Sequence, residues 1–417
     1  MRAMKDSGIK WIGEIPDEWT TGIINWIADE ISVPPFCKEG FSYIGMKNVE
    51  SNTSRIVGEL DNAENYSSSI KYFDKETILL GKLRPYLAKA VFPKFMGICS
   101  SEFLTLKTQQ VNPRYLVRLL ACYKLSDCFN SDTTGVKMPR TNWAQIKKIG
   151  CPIPPFEEQE IIADYLDAQC EMVDLAIESA ESSIEEYKAY KKSVIFETVT
   201  KGLDPYASMK DTCYKYLGEV PSHWILERSK NIFREVSVKR HPHEMILSLY
   251  REYGVVPKDS RDDNHNVTSL DTSTYKLVNI GNLVINKMKA WQGSLAFSAY
   301  RGIISPAYLI FELIAEDIEI KYLNYLLRSA HYADEFARLS TGIRIGQWDL
   351  HSNDFLNTVV AIPPKGEQIE IAAFLDAKCK SIDEAIVSKQ TIIEELKAYK
   401  KSLIYEVVTG KREIDGC

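Results

Sequence analysis

The chain contains no run of about 18 apolar residues, the length a membrane-crossing helix needs. No apolar stretch follows Met1-Arg2-Ala3-Met4-Lys5-Asp6 either, so the expectation is a protein that is neither exported nor membrane-spanning and works in the cytoplasm. Its 9 cysteines stand singly, without a Cys-x-x-Cys pair, and an odd number does not suit a disulfide framework; they read as reduced and structural. Six histidines (His223, His241, His243, His265, His331 and His351) show no metal-ligand spacing, and His241-Pro242-His243 reads as a solvated turn. Gly-x-Gly-x-x-Gly and the Walker phosphate loop are missing, which removes any sequence basis for a dinucleotide or ATP site. No Ser/His/Asp or Cys/His set can be assembled from spacing.

Two near-misses are also set aside. Pro154-Pro155-Phe156 is superficially like the Asn/Asp-Pro-Pro-aromatic loop of amino-methyltransferases, but Ile153 stands where the polar residue would hold the target amine. Glu186-Tyr187-Lys188 and Glu395-Leu396-Lys397 spell the Glu-x-Lys of a nuclease site, yet both fall inside helical patterns, where residues two apart do not face each other.

What the chain does have is a duplication. Ile153-Pro154-Pro155-Phe156-Glu157-Glu158-Gln159 runs on to Val199-Thr200-Lys201-Gly202 and returns, 209 residues later, as Ile362-Pro363-Pro364-Lys365-Gly366-Glu367-Gln368 through Val408-Thr409-Gly410-Lys411. Residues 153–200 share 28 identities in 48 positions with their copy, which marks a true internal repeat. Each Pro pair fixes an extended approach and the Glu residues after it suit a helix N-terminus. Apolar residues then recur at steps of three, four and seven: Ile162, Leu166, Val173, Ile177, Ala180, Ile184, Tyr187 and Val194, matched by Ile371, Leu375, Ile382, Ile386, Lys389, Ile393, Leu396 and Leu403. An uninterrupted helix of that length would span about 60 Å at 1.5 Å per residue, too long for one globular core. The expected partner of each stripe is the other copy, packed as an intramolecular coiled coil; the plainer alternative is two helices each packed on its own domain.

The opening segments repeat as well. Met4-Lys5-Asp6-Ser7 with Trp11-Ile12-Gly13-Glu14-Ile15-Pro16-Asp17-Glu18-Trp19 returns as Met209-Lys210-Asp211-Thr212 with Tyr216-Leu217-Gly218-Glu219-Val220-Pro221-Ser222-His223-Trp224, a turn pinned to a core by its rings. Between opening segment and helix the halves diverge, though both carry β-rich runs (Thr77–Leu80, Phe103–Leu106; Leu283–Ile285, Tyr308–Phe311) followed by a helical pattern (Arg114–Leu120; Ile320–Leu327). The expected fold is α+β: mixed domains at 1–150 and 204–360, helical repeats at 151–203 and 361–417, antiparallel helices and pseudo-two-fold symmetry. Lys201-Gly202-Leu203-Asp204-Pro205-Tyr206 marks the boundary after the first helix.

Net charge is −6, but it is unevenly spread. Residues 151–200 carry 3 basic and 12 acidic side chains, whereas residues 80–150 carry 12 basic and 3 acidic, so a local basic face is compatible with the acidic total. Four clusters interleave cations with aromatic rings at corresponding places. Lys82-Leu83-Arg84-Pro85-Tyr86-Leu87-Ala88-Lys89 and Asn286-Lys287-Met288-Lys289-Ala290-Trp291-Gln292 each follow a strand. Lys137-Met138-Pro139-Arg140-Thr141-Asn142-Trp143 and Arg344-Ile345-Gly346-Gln347-Trp348 each precede a helical repeat. The candidates for DNA contact are therefore Lys82, Arg84, Tyr86, Lys89, Lys137, Arg140, Asn142, Lys287, Lys289, Trp291, Arg344 and Gln347, with Arg301 beside the second unit's Gly302-Ile303-Ile304 run. Cations would neutralise phosphates, and Arg, Asn and Gln could read base edges. A hydrated basic loop is the bland alternative for any one of them.

On these residues the whole chain resembles the specificity subunits of Type I restriction–modification systems. The order of unlike domain, helical repeat, unlike domain, helical repeat carries the resemblance, together with Pro154-Pro155-Phe156-Glu157-Glu158-Gln159, which is similar to the family's Leu-Pro-Pro-Leu-x-Glu-Gln element. Ile153 and Phe156 replace its leucines, and in the second copy Lys365 takes the second leucine's place. Leu80-Gly81-Lys82-Leu83-Arg84-Pro85-Tyr86 is similar to a loop of the family's recognition domains. The resemblance implies two target-recognition domains, each reading one half of a bipartite double-stranded DNA target, and helices that set the spacer. It implies docking of two modification subunits at the helical repeats, for which Pro154, Pro155, Glu158, Gln159, Pro363, Pro364, Glu367 and Gln368 are the candidates. It further implies restriction subunits in the full complex, S-adenosylmethionine and ATP with Mg on partner subunits, and no cofactor, metal or catalytic residue in this chain. A diverged DNA methyltransferase and a coiled-coil protein adaptor are the competing readings.

Overall fold

A Pro pair ahead of an apolar stripe is what starts both long helices. In the computed structural model, which describes residues 2–66, 69–130, 138–260, 272–342 and 348–414, they run from Phe156 to Lys201 and from Lys365 to Val408, 46 and 44 residues. Each stops at a glycine in left-handed conformation, Gly202 at φ +73° and Gly410 at φ +71°. The space there is also closed to a side chain: a Cβ on Gly410 would lie 2.4 Å from Pro16 Cδ.

The chain divides into two compact units, Met1–Ser182 with Lys389–Cys417, and Ser183–Ser388. The division cuts through both long helices rather than falling at residues 150, 203 and 360, because each unit holds the first part of one helix and the last part of the other. Within the first unit, Ile162, Leu166 and Cys170 share a core with Leu403, Ile404, Val407 and Val408. Asp174 there receives Lys400 Nζ at 2.6 and 2.8 Å, and the Lys400 side chain is only 3% exposed. Within the second unit, Val199 shares a core with Ile371 and Leu375, and Lys191 Nζ bonds Asp383 at 2.7 Å. The two helices therefore pack together, antiparallel, in each unit. Every position of both expected stripes is buried or half-buried. The plainer alternative fails only in part, since the same cores also take in the sheets of their unit.

Those sheets follow one plan. In the first unit a four-stranded sheet has the order Ala28–Glu30, Phe103–Thr108, Ile78–Gly81, Ala90–Val91. Its counterpart is Phe233–Glu235, Tyr308–Leu313, Leu283–Asn286, Leu295–Phe297. The β-rich runs of the sequence thus fall at the centre of both sheets. Beside them lie strands with unlike partners: Ile70–Phe73 pairs Gly97–Ser100 in a second four-stranded sheet, whereas Lys276–Val278 pairs Gly302–Ile304 alone. The helices Pro113–Leu120 and Ile320–Arg328 come next, and a short strand, Gly150–Ile153 or Val359–Ile362, leads into each long helix. The opening segments fold as hairpins, Met4–Asp6 with Glu14–Pro16 and Met209–Asp211 with Glu219–Pro221. Trp19 and Trp224 behind them are both 1% exposed, as pegs in a core. Among the described residues no disulfide, no His/Cys/Asp/Glu metal cluster and no helix long and apolar enough to cross a membrane is found.

Candidate nucleic-acid interface

The Glu-Gln of each repeat is spent inside the chain. Gln159 Oε1 accepts the Asn112 backbone N–H at 2.7 Å, and its Nε2 donates to the Pro154 carbonyl at 2.9 Å. Gln368 repeats this, accepting from Glu319 N–H at 2.8 Å and donating to Pro363 and Asp317 carbonyls at 2.8 and 3.1 Å. Both amides are essentially unexposed. Glu158 is held by Arg2, and Glu367 accepts from Trp224 Nε1 at 3.0 Å with His223 beside it at 2.9 Å. Glu158, Gln159, Glu367 and Gln368, the candidates for partner contact, thus each make a contact inside this chain. These side chains join each long helix to the domain before it, and the two Gln amides satisfy backbone groups of Asn112, Pro154, Glu319, Asp317 and Pro363 that burial would otherwise orphan. Pro154 and Pro363 are buried too, whereas Pro155 and Pro364 are exposed.

Two tyrosines complete the junction. Tyr115 donates or shares its hydroxyl with the Pro152 and Val408 carbonyls at 3.1 and 3.3 Å; Tyr322 does so with Ala361 and Val199 at 2.8 and 3.1 Å. Next to them Arg114 and Arg118 hold Asp167, and Lys321 and Tyr325 hold Asp376. Burial pushes the Asp167 carboxyl up, but hydrogen bonds from Arg118 and Arg114 outweigh it and hold the pKa below the usual carboxylate range. Burial likewise opposes, and Lys321 with Tyr325 overcomes it, at Asp376. A carboxyl whose folded pKa is depressed stabilises the fold above its unfolded value, about 4, and that share is lost as pH falls through the folded pKa. Both junctions should accordingly loosen on the acid side of about pH 4. Urea midpoints measured from pH 7 to 3 should fall less steeply for Asp167→Asn than for the parent chain.

The domains carry their cations at one rim. In the first unit Lys82 follows the strand Ile78–Gly81, and its carbonyl accepts Thr141 N–H at 3.0 Å. Burial lowers the Lys82 pKa and the positive charge of neighbouring Lys71 lowers it further; Glu102 and Glu30 counter, and Arg140 adds a smaller push down. Lys71 itself donates to the Phe103 carbonyl at 3.1 Å. Arg84 at φ +51° and Ala88 at φ +44° bracket the turn Pro85–Leu87 in left-handed conformation, a cost for residues with a Cβ. This turn leaves Arg84 exposed and Tyr86 45% exposed.

The second unit repeats the rim with other chemistry. Lys287 follows Leu283–Asn286, its carbonyl accepts Leu350 N–H at 2.9 Å, and its Nζ pairs Asp349 at 2.9 Å. Lys276 donates to the Tyr308 carbonyl at 2.7 Å as Lys71 does to Phe103. Burial lowers its pKa; Glu235 counters, and Lys239 and Lys287 push it further down. Trp291 meets Trp348 edge-on at 5.4 Å. Lys82 and Lys276 are thus partly buried cations with further cations beside them, Lys71 and Arg140 at one and Lys239 and Lys287 at the other, which Glu30 and Glu102 offset in the first unit and Glu235 and Asp349 in the second.

Not every candidate serves this rim. Lys89 gives its Nζ to the Met46 carbonyl at 2.7 Å, and Asn142 caps the helix Trp143–Ile146 by accepting Gln145 N–H. Arg301 is taken by Glu244 at 2.9 Å and Asn279 at 3.1 Å, and Arg140 pairs with Glu102 at 2.9 Å. Lys289 is exposed with no polar partner among the described residues, while Lys137, Arg344 and Gln347 lie outside the described residues. Sequence reasoning missed Lys71 and Lys276, which are lone lysines inside short strands. A signal existed: each precedes its rim lysine by 11 residues, in both halves.

Comparison with known proteins agrees with this plan. The description "Type I restriction modification DNA specificity domain" matches residues 35–186. The chain is similar to the Type I restriction enzyme MjaVIII specificity subunit of Methanocaldococcus jannaschii, 27% identical over 346 residues, covering 78% of this chain and 76% of that one. It is also similar to the putative type I restriction enzyme MjaX specificity subunit of the same organism, 23% identical over 96% of this chain and 95% of that one. In fold it matches a chain from a structure of complex assembly and conformational transition of the type I R-M system, with TM-score 0.71 and 16% identity over 95% of this chain and 99% of that one.

Proposed function

This chain belongs to the specificity subunits of Type I restriction–modification systems, and on that premise we propose that each unit reads one half of a bipartite DNA target. The observation that carries this reading is a pair of like-built domains, joined to a duplicated helix pair by the same Gln and Tyr contacts, whose cationic rims differ. Identical joints suit identical geometry; unlike rims suit unlike bases. The helices would set the nonspecific spacer and dock two modification subunits. S-adenosylmethionine and ATP with Mg would reside on partner subunits, with this chain non-catalytic and cytoplasmic. Restriction subunits would join through the assembled complex.

The test is selection from random duplex DNA by the full chain with its modification subunits. A two-part motif with a fixed gap is expected, and replacing residues 25–150 by another member's domain should change one half only. Failure to enrich any motif would sink the reading. Binding of S-adenosylmethionine by the isolated chain would revive the methyltransferase alternative.

The rim makes a sharper forecast. Lys82→Ala and Arg84→Ala should each reduce the slope of log affinity against log salt by about one, weakening binding alike on all sequences. Lys89→Ala should leave that slope unchanged, because its ammonium is committed to Met46. A filter-binding salt series distinguishes the three.

A further inference from the structure

In each unit the edge strand of the central sheet leads into a segment that DNA reading by the rim leaves unassigned. The pairing Ala28 with Thr108, Asp29 with Lys107 and Glu30 with Leu106 carries the chain toward Phe103. Phe103 in turn pairs Gly81, the residue before Lys82. The chain therefore leaves the sheet at the rim where Lys71 and Lys82 sit, held there by Tyr72 N–H on the Val33 carbonyl at 2.9 Å. Beyond Val33 the chain continues as Pro34-Pro35-Phe36-Cys37-Lys38. Phe36 is 80% exposed, although it rests on Tyr72 at 5.7 Å and on Phe41 at 6.4 Å, which pack edge-on against each other at 6.0 Å. A ring so exposed, yet fixed from behind by two others after a Pro pair, is held open to solvent on the segment that leaves the sheet at the rim.

The second unit makes the same exit. Phe233–Glu235 runs along Tyr308–Leu313 toward Tyr308, which pairs Asn286, the residue before Lys287. Leu277 N–H on the Val238 carbonyl at 2.7 Å repeats the tether. The segment that leaves is Lys239-Arg240-His241-Pro242-His243, with Lys239 and Arg240 exposed and Arg240 at φ +70°. Neither cation has a side-chain partner among the described residues. Equivalent arms thus carry a stacked ring in one unit and cations in the other.

We propose that these arms are a second DNA-contacting element: Phe36 stacks on a base or wedges into a base step of one half-site, and Lys239 with Arg240 neutralises phosphates flanking the other. This rests on the DNA-reading function proposed for the two units and adds an arm in each: a ring that senses the flexibility of a base step in one, and cations that hold the backbone in the other. Aromatic stacking on bases is sequence-tolerant but strong, and apolar wedges favour flexible steps.

The experiment uses the full chain with its modification subunits and duplex DNA carrying the motif that the parent selects. Phe36→Ala should weaken binding about 5- to 150-fold, the range that loss of one stacked base covers. It should also relax preference in one half-site, leave the salt slope unchanged, and be rescued by Phe36→Trp. The paired change Lys239→Ala with Arg240→Ala should lower the salt slope by about two and leave the selected motif intact. An unchanged melting temperature is expected for Phe36→Ala, since the ring is exposed. Parent-like affinity and motif for Phe36→Ala would overturn the proposal while leaving the function standing. The same holds if Phe36→Ala impairs only assembly with modification subunits, which would make the ring a protein contact. No motif from the parent chain overturns both.

Discussion

Asp174→Ala is expected to cost about 3–5 kcal/mol of stability, while the same change at its duplicate, Asp383→Ala, costs under about 1 kcal/mol. The two aspartates are copies of one position and each pairs with a copied lysine, Lys400 or Lys191. Helix propensity changes equally in both substitutions and cancels. What differs is water. The Lys400 side chain is 3% exposed and Asp174 is 18% exposed, whereas Lys191 and Asp383 are 30% and 56% exposed. In the first unit Arg55 from the domain covers the pair, binding Glu178 and lying 3.8 Å from Asp174. Removing Asp174 strands a buried ammonium; removing Asp383 leaves a lysine free to hydrate. Equilibrium urea unfolding of both variants decides the matter, and near-equal losses would show that burial is not the cause. A double change, Asp174→Leu with Lys400→Met, should recover most of the loss, because a packed apolar pair avoids the desolvation that the ion pair must offset.

The second large effect is expected at Gln159. Replacing it by Leu leaves the Asn112 N–H and the Pro154 carbonyl buried without partners, at about 1–3 kcal/mol for each orphaned group. Gln159→Glu should recover little: the carboxylate can still accept from Asn112, but it turns a second oxygen toward the Pro154 carbonyl. The functional readout differs from the stability readout. With the joint between domain and helix loosened, binding should tolerate targets whose spacer is one base pair longer or shorter, while each half-site is still read. Competition binding on a spacer series measures this. A Gln159→Leu chain that is destabilised but still strict about spacer length would confine the glutamine to folding.

Much of this architecture was legible in the sequence because period and repetition are properties of residue order. The stripe from Ile162 to Val194 and its copy had to leave solvent, and every position of both is buried or half-buried. Strands such as Phe103–Thr108 announced themselves by β-branched and aromatic content. The site was harder for a physical reason: charge is visible in a sequence but its partner is not. The sequence shows Lys89, Asn142 and Arg301 as polar side chains, but not that Met46, Gln145 and Glu244 lie within hydrogen-bond reach of them. Gln159 and Gln368 stood out in the sequence because they recur, and the joint they build inside the chain recurs with them. Lys71 and Lys276 escaped notice because a lone lysine in a strand has no local pattern; only the sheet brings it to the rim.

One hydroxyl in each unit has a mechanical consequence. The phenol of Tyr115 bridges the backbone just ahead of one rod and the backbone at the far end of the other, and Tyr322 does likewise. Within either unit, creep of one rod past the other by a single turn, about 5.4 Å, would part that unit's bridge. Each phenol therefore acts as a detent: inside its unit the stagger of the rods is fixed to less than one turn, and slippage there must first break the clamp.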